Sequence, residues 1–235
     1  MNNIANFSLA GKDHSNQDSL IFHERSDKTL IAIADGMGGL ESGEKASKIA
    51  VDLLLREFTN NSSMDFIRII KDIKKTIQKY ALENKIEKIG TTLTCCLIQG
   101  ESAHIAHVGD CRLYQLRDHG LRTITKDQTE VQKLVDEGVL TPKRAKTYHR
   151  RNILLSALSN FSDFYVYEYK ISLLENDRLL LMSDGAYSLL EKIEIRNLSV
   201  NNQNIDEFVN ELKKFIISKK INDDYSALCY EHHIK

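Results

Sequence analysis

An α+β layered sandwich is the fold this sequence predicts, on three observations. Short apolar runs follow one another across tight Gly, Asp and Asn turns, which implies antiparallel pairing. Long amphipathic helices fall between groups of strands rather than after every strand, which argues against a doubly wound parallel sheet. There is one proline, Pro142, with no low-complexity linker and no internal repeat, so residues 1–235 read as one domain.

The elements follow in order. Residues 19–23 and 29–34 read as strands. Residues 42–58 read as a helix, because Ala46, Ile49, Ala50, Leu53, Leu54 and Phe58 recur at helical spacing. Residues 65–82 repeat the pattern with Phe66, Ile69, Ile70, Ile73, Ile77 and Tyr80, and Asp65 suits the positive end of that helix. Four short strands follow at 91–98, 102–108, 112–117 and 121–125. Residues 128–137 read as helical, and 138–151 as irregular. Residues 164–171 alternate like a strand, and 178–182 form an apolar strand. A third long helix, 205–219, places Ile205, Phe208, Val209, Leu212, Phe215 and Ile216 on one face, and 225–230 closes the chain as a strand.

Composition excludes several classes. Lys+Arg total 32 and Asp+Glu 33, a net charge of −1, which argues against a general nucleic-acid binder. The start, MNNIANFSLAGKDH, lacks the basic segment and apolar core of a secretion signal. No apolar run approaches the ~18 residues of a membrane span. A cytoplasmic location, no membrane partner and, by default, a monomer are the expectations. Without secretion, the glycosylation patterns at Asn6 and Asn61 are chance matches. The cysteines Cys95, Cys96, Cys111 and Cys229 form no C-x-x-C pair and read as buried reduced thiols.

The chemistry sits in aspartates at strand ends. Asp35 follows the run Leu30-Ile31-Ala32-Ile33-Ala34 and precedes Gly36-Met37-Gly38-Gly39. Asp184 follows Leu179-Leu180-Leu181-Met182-Ser183 and precedes Gly185. Asp18 and Asp223 do the reverse, each standing just before a strand. In antiparallel pairs the start of one strand lies beside the end of its neighbour, so four carboxylates would converge at one edge. Their repulsion calls for divalent cations. An all-oxygen set without His or Cys suits Mg²⁺, Mn²⁺ or Ca²⁺ rather than zinc. Two such ions can activate water and polarise a phosphoryl oxygen. A single Asp-Gly is ordinarily a turn; two of them after buried strands, with two more aspartates before strands, are not explained that way. There is no Cys-x5-Arg loop and no P-loop lysine to support a different phosphoryl chemistry.

The chain carries, in this order, Asn16-Gln17-Asp18-Ser19, Ala34-Asp35-Gly36-Met37-Gly38-Gly39, Gly90-Thr91-Thr92-Leu93, Val108-Gly109-Asp110-Cys111-Arg112, Thr125-Lys126-Asp127-Gln128-Thr129, Arg151-Asn152-Ile153-Leu154, Met182-Ser183-Asp184-Gly185 and Asp223-Asp224-Tyr225-Ser226. In order and spacing it resembles the bacterial form of the metal-dependent type 2C protein phosphatases, the PPM family, over nearly its whole length. The resemblance implies a four-layer αββα sandwich, two antiparallel sheets flanked by helices, with a binuclear Mg²⁺ or Mn²⁺ centre. Asp35 would bridge both metals, the Gly36 carbonyl would bind one and Asp18 would serve that same one directly or through water, and Asp184 and Asp223 would bind the other. Asp127 would belong to a third, weaker metal site. The implied reaction is hydrolysis of phosphoserine and phosphothreonine in protein substrates by a metal-activated water, opposing a Ser/Thr kinase. Residues 128–150 would form the flap beside the substrate cleft, with Arg144, Lys146, Arg150 and Arg151 either contacting substrate or forming a solvated surface.

The remaining matches read as structural. Gly90-Thr91-Thr92-Leu93 reads as the packed start of a strand, Asp110 as a turn or a partner of Arg112, and His104 and His107 as core or solvent residues. Four departures from the family pattern stand out. Bacterial members carry an arginine that grips the phosphate where this chain has Asp13, so Lys12, His14 or the flap would supply a substitute cation, or binding would be weakened. Gln128 stands where a His is usual and would tune acid–base behaviour or the third metal site. Asp224 stands where Asn is common and adds a carboxylate beside the better ligand Asp223. Ser159-Asn160 reads as a loop change. Two other readings compete: a catalytically weak phosphoprotein-binding module, motivated by Asp13, and a two-metal phosphodiesterase or nuclease, motivated by the carboxylates alone.

Overall fold

The structure, a computed structural model, describes residues 3–11, 15–37 and 40–234. Lys12, Asp13, His14, Gly38 and Gly39 lie outside the described residues.

Two antiparallel sheets pack face to face. The first runs, in spatial order, β1 (Ile4–Leu9), β12 (Tyr225–Glu231), β11 (Arg178–Met182), β7 (Arg112–Arg117) and β8 (Gly120–Thr123). The second runs β10 (Tyr167–Ser172), β6 (Ser102–Val108), β5 (Leu93–Gln99), β3 (Lys28–Met37), β4 (Gly90–Thr91) and β9 (Leu158–Ser159), with β2 (Asp18–Arg25) also paired to β3. Helices α1 (Leu40–Asn60) and α2 (Phe66–Glu83) cover the second sheet. Helices α6 (Lys192–Asn201) and α7 (Ile205–Ile217) cover the first. Short helices α3 (Glu130–Asp136) and α4 (Pro142–Ala145) lie in the long connection after β8, and α5 (Asp184–Tyr187) directly follows β11.

The period of two in each strand explains the four layers. In β3, Leu30, Ala32 and Ala34 pack against α1 and α2, while Ile31 and Ile33 face the other sheet. In β11, Leu180 and Met182 face α7, while Leu179 and Leu181 meet Ile31 and Ile33 between the sheets. Because these strands are buried on both faces, they read as continuous apolar runs rather than alternating ones. Helix α2 begins at Phe66, and Asp65, expected within its first turn, caps it by accepting the Arg68 N–H at 3.0 Å. Asn204 caps α7 in the same way, accepting from Asp206 and Glu207.

The structure corrects several boundaries. Strand β1 was not expected; Ala5 and Phe7 pack beside α7, and the strand pairs with β12 at the sheet edge. The single strand expected over 91–98 is two, β4 and β5, because Thr92 leaves the ladder to bond Asp35. The strand expected from 164 begins at Tyr167. The irregular stretch 138–151 contains α4, with Pro142 in its first turn and Thr141 as its cap. Helices α5 and α6 were also missed. Helix α6 buries only Ile195, so its sequence carries almost no helical stripe. All four cysteines are buried and free.

Candidate metal centre

The pairing β2–β3 puts Asp18 directly opposite Asp35, at one edge of the second sheet. The backbone of Asp35 is held on both sides. Its N–H donates to Thr92 Oγ1 at 3.0 Å, and its carbonyl accepts from the Thr92 N–H and Thr91 Oγ1, both at 2.9 Å. Thr91 and Thr92 therefore position a candidate ligand as well as packing, a role the sequence reading did not assign. Asp18 is held by Asn16, whose Oδ1 accepts the Asp18 N–H at 3.0 Å.

The first sheet brings its aspartates to the same edge. Strand β11 pairs with β12 up to Met182 opposite Ala227, and the Ser183 N–H continues the ladder to the Ser226 carbonyl at 3.1 Å. Asp184 then opens α5, and Asp223 ends the turn into β12. Ser183 joins the sheets: its Oγ donates to Asp18 Oδ2 at 2.9 Å and accepts the Ser226 N–H at 3.0 Å.

Close backbone contacts make two glycines obligatory here. A Cβ on Gly36 would lie 2.2 Å from the Gly43 carbonyl oxygen of α1. A Cβ on Gly185 would lie 2.0 Å from the Asp224 carbonyl oxygen. Glycine alone allows β3 to approach α1, and α5 to approach the 223–224 turn.

The electrostatics are those of crowded, desolvated carboxylates. Burial pushes Asp18 up to about 7; Ser226 and Ser183 hydrogen bonds oppose the shift, and Asp224 and Asp184 add to it. Burial, then Asp18, Asp184, Asp110 and Asp223, push Asp35 well above the carboxylate range. Asp184 is raised by burial and by Asp223, and is partly relieved by a hydrogen bond with Asp35. Asp110 stands in the turn between β6 and β7, one of its two expected readings, and it is also a buried carboxylate of this cluster: burial, Asp184 and Asp127 raise it, and the charge of Arg112 lowers it. The positive φ of Gly109, 105°, turns the chain there. A Cβ on Gly109 would press on Thr92 Cγ2 at 2.5 Å.

Arg112 instead forms a two-pronged pair with Asp127, Nε to Oδ1 at 3.0 Å and Nη2 to Oδ2 at 2.7 Å. Its guanidinium stacks on the Tyr187 ring, 3.8 Å from the centroid. Both oxygens of Asp127, the expected third-site ligand, thus already accept hydrogen bonds. Gln128, expected to tune acid–base behaviour or the third metal site, is tied to backbone groups. Its side chain is buried and bonded to backbone, accepting the Gly109 N–H at 2.8 Å and donating to the His107 carbonyl at 3.2 Å. It braces the turn that carries Asp110. His107 is buried between Thr94 and the Lys126 carbonyl, and burial lowers it to about 4, so it is neutral. His104 pairs with Glu168 at 2.9 Å. In the segment 128–150, Lys146 pairs with Glu191 at 2.7 Å and Arg150 with Glu130 at 2.6 Å, so these two cations are held by protein acids.

Lys12 and His14, the expected substrate-binding residues, lie outside the described residues. Gly11 and Gln17, which flank them, are both held by Asp224. Asp223 is exposed, with Oδ1 accepting the Asp224 N–H at 2.9 Å.

The cluster has the donor chemistry of a hard-cation site. Asp18 Oδ1 is buried with no hydrogen-bond partner among the described residues, an atom left for a ligand outside the chain. Its neighbours are oxygen donors that raise one another's proton affinity, as carboxylates do when their counter-charge is not a side chain. Among the described residues, no three His, Cys, Asp or Glu side chains already close on one point as a finished cage. The set is open, and cation binding would draw the carboxylates together. These residues fit Mg²⁺ or Mn²⁺.

Known proteins share both sequence and shape. The sequence profile of the protein phosphatase 2C family matches residues 8–223. A serine/threonine phosphatase of Listeria monocytogenes serotype 4b is 30% identical over 205 residues, covering 83% of this chain and 81% of that protein. The serine/threonine phosphatase structure from Staphylococcus aureus superposes with a TM-score of 0.91 at 28% identity, covering 99% of this chain and 96% of that one. The catalytic domain of the serine/threonine phosphatase PstP, solved in complex with 2 manganese ions, superposes with a TM-score of 0.83 at 29% identity, covering 97% of this chain and 96% of that one. Two antiparallel sheets between helical layers, the aspartates gathered at their common edge and these similarities converge: the chain belongs to the protein phosphatase 2C family of serine/threonine phosphatases.

Proposed function

We propose that this protein hydrolyses phosphoserine and phosphothreonine in phosphoprotein substrates at a binuclear Mg²⁺ or Mn²⁺ centre. The observation that carries the reading is the gathering of Asp18, Asp35, Asp184 and Asp110 at one edge, with one buried oxygen of Asp18 unpartnered. Asp35 would face both cations, Asp18 and the Gly36 carbonyl one of them, and Asp184 and Asp223 the other. Cations bound there would neutralise the carboxylates, polarise the phosphoryl group and activate water.

The chain's own groups have distinct parts. Thr91 and Thr92 hold the Asp35 backbone in place, and Ser183 fixes one oxygen of Asp18 while leaving the other open. Arg112 holds Asp127 at the rim, where the carboxylate would serve a third, weaker cation site through lone pairs the guanidinium leaves. The segment between Gly11 and Gln17, carrying Lys12 and His14, would supply positive charge to the substrate phosphate.

The chain is proposed to act as one catalytic unit and as a monomer, with residues 128–150 as a flap. Among the described residues no helix is long and apolar enough to cross a membrane. A cytoplasmic site of action opposite a Ser/Thr kinase is part of the proposal. The test is hydrolysis of a phosphothreonine peptide and of bis-p-nitrophenyl phosphate, with Mn²⁺ and then with EDTA. Mn²⁺-dependent release of phosphate from the peptide, abolished by EDTA, is the expected result. Cleavage of the diester in preference to the peptide would favour a phosphodiesterase. Cation binding without turnover would favour a binding module.

A further inference from the structure

We infer that Asp224 is a positioning residue, a carboxylate latch that closes the β1–β2 connection onto the turn bearing Asp223. Its two oxygens hold the two ends of that connection. Oδ1 accepts the Gly11 N–H at 2.9 Å, and Oδ2 accepts the Gln17 N–H at 2.8 Å. Between these amides lie Lys12, Asp13 and His14, and immediately after Gln17 comes Asp18.

Three further features fit a latch. Gly11 lies directly on the turn, since a Cβ there would sit 1.9 Å from the Asp223 carbonyl oxygen. Only glycine permits that approach. Gln17 is gripped from its other side, because its carbonyl accepts Ser47 Oγ at 2.6 Å. Its backbone is thus fixed at both polar groups, and the next residue is Asp18. Asp224 itself is buried among other carboxylates, where a further negative charge is unfavourable, and it adds to the upward shift of Asp18. Two charge-assisted bonds to backbone amides offset that cost.

Holding both amides at once requires a carboxylate. An asparagine offers one acceptor oxygen and one NH₂ group; the NH₂ would meet a backbone N–H, donor against donor. An Asp224→Asn variant therefore keeps one end of the connection and releases the other, and Asp224→Ala releases both.

The catalytic consequence rests on the phosphatase reading, but the latch does not. The experiment reads both in the whole chain. Amide hydrogen exchange at Gly11 and Gln17, followed by ¹⁵N NMR without added metal, reports the latch. Exchange at both amides should rise roughly tenfold or more in Asp224→Ala, and at one amide in Asp224→Asn. KM for a phosphothreonine peptide should rise roughly tenfold in Asp224→Asn while kcat changes less, because one of the two amide anchors at Gly11 and Gln17 is released. Unchanged exchange at both amides in Asp224→Asn would overturn the latch. Faster exchange with KM unchanged, or a loss confined to kcat, would overturn its positioning role. A wild-type chain with no turnover, but with the exchange response intact, would contradict the phosphatase reading and leave the latch standing.

Discussion

Asp18 and Asp35 are partners on one rung of the β2–β3 ladder, two acids directly opposite each other at the buried edge of a sheet. Like charges in that relationship are destabilising. The chain accepts the cost here and compounds it with Asp184 and Asp110. A fold that concentrates repulsion in this way is more stable with a counter-charge than without one, and that gives the account its first test.

Without metal, the cluster should impose a pH-dependent penalty. Asp18 titrates at about 7 in the folded chain, far above its ordinary 3.8, and Asp35 is also raised. A carboxyl raised on folding binds a proton in the native state that the unfolded chain has already released. The penalty is absent below the unfolded value, grows as pH rises between the two, and is complete above the folded one. Asp35→Asn removes a charge from the cluster. In EDTA the variant should melt above wild type by about 5 °C at pH 8 and by little at pH 5. Taking the difference cancels groups such as His107, whose lowered value opposes the trend. Equal shifts at both pH values, by calorimetry, would argue against the crowded-carboxylate account.

Thr92 should matter to activity out of proportion to its size. Thr92→Val keeps shape and burial but removes the hydroxyl that accepts the Asp35 N–H. A buried donor left unsatisfied costs about 1–3 kcal/mol. Thermal melts should show that loss, and Mn²⁺-supported kcat should fall at least tenfold as Asp35 shifts. Full activity in a destabilised Thr92→Val would confine the residue to packing.

Arg112 should not tolerate lysine. The guanidinium makes two bonds to Asp127 and stacks on Tyr187, and an ammonium can reproduce neither the fork nor the stack. Arg112→Lys should lose about 2 kcal/mol in urea unfolding and should weaken any third, low-affinity Mn²⁺ event while leaving the tighter ones. Wild-type stability and an unchanged metal titration would remove Arg112 from the account.

Much of this was legible in the residues because the signals were local. Apolar runs ending in Asp-Gly marked Asp35 and Asp184, and strand-initial placement marked Asp18 and Asp223. Periodicity marked α1, α2 and α7, whose buried stripes are continuous. What escaped was nonlocal or unpatterned. Asp110 follows a glycine, as turn residues do, and only the tertiary fold buries it beside Asp184. Arg112 chose Asp127 over Asp110, a decision made by the approach of the segment after β8. Thr92 looked like packing, and Gln128 like a tuner of the site, because their partners are backbone groups far along the chain. Strand β1 did leave a sign, the alternation of Ala5, Phe7 and Leu9. Helix α6 opens with the Glu191 N–H bonded to Glu194, but a glutamate at the cap is not the Ser, Thr, Asp or Asn that marks a capping box in a sequence.

The most direct test of the central claim is a calorimetric titration of wild-type protein and Asp35→Asn with Mn²⁺ at pH 8. The account predicts two ions per wild-type chain in the tighter phase, and loss of at least one of them in the variant with the fold retained. Equal stoichiometry and affinity in both proteins would contradict it, because Asp35 would then not belong to the centre that the fold assembles around it.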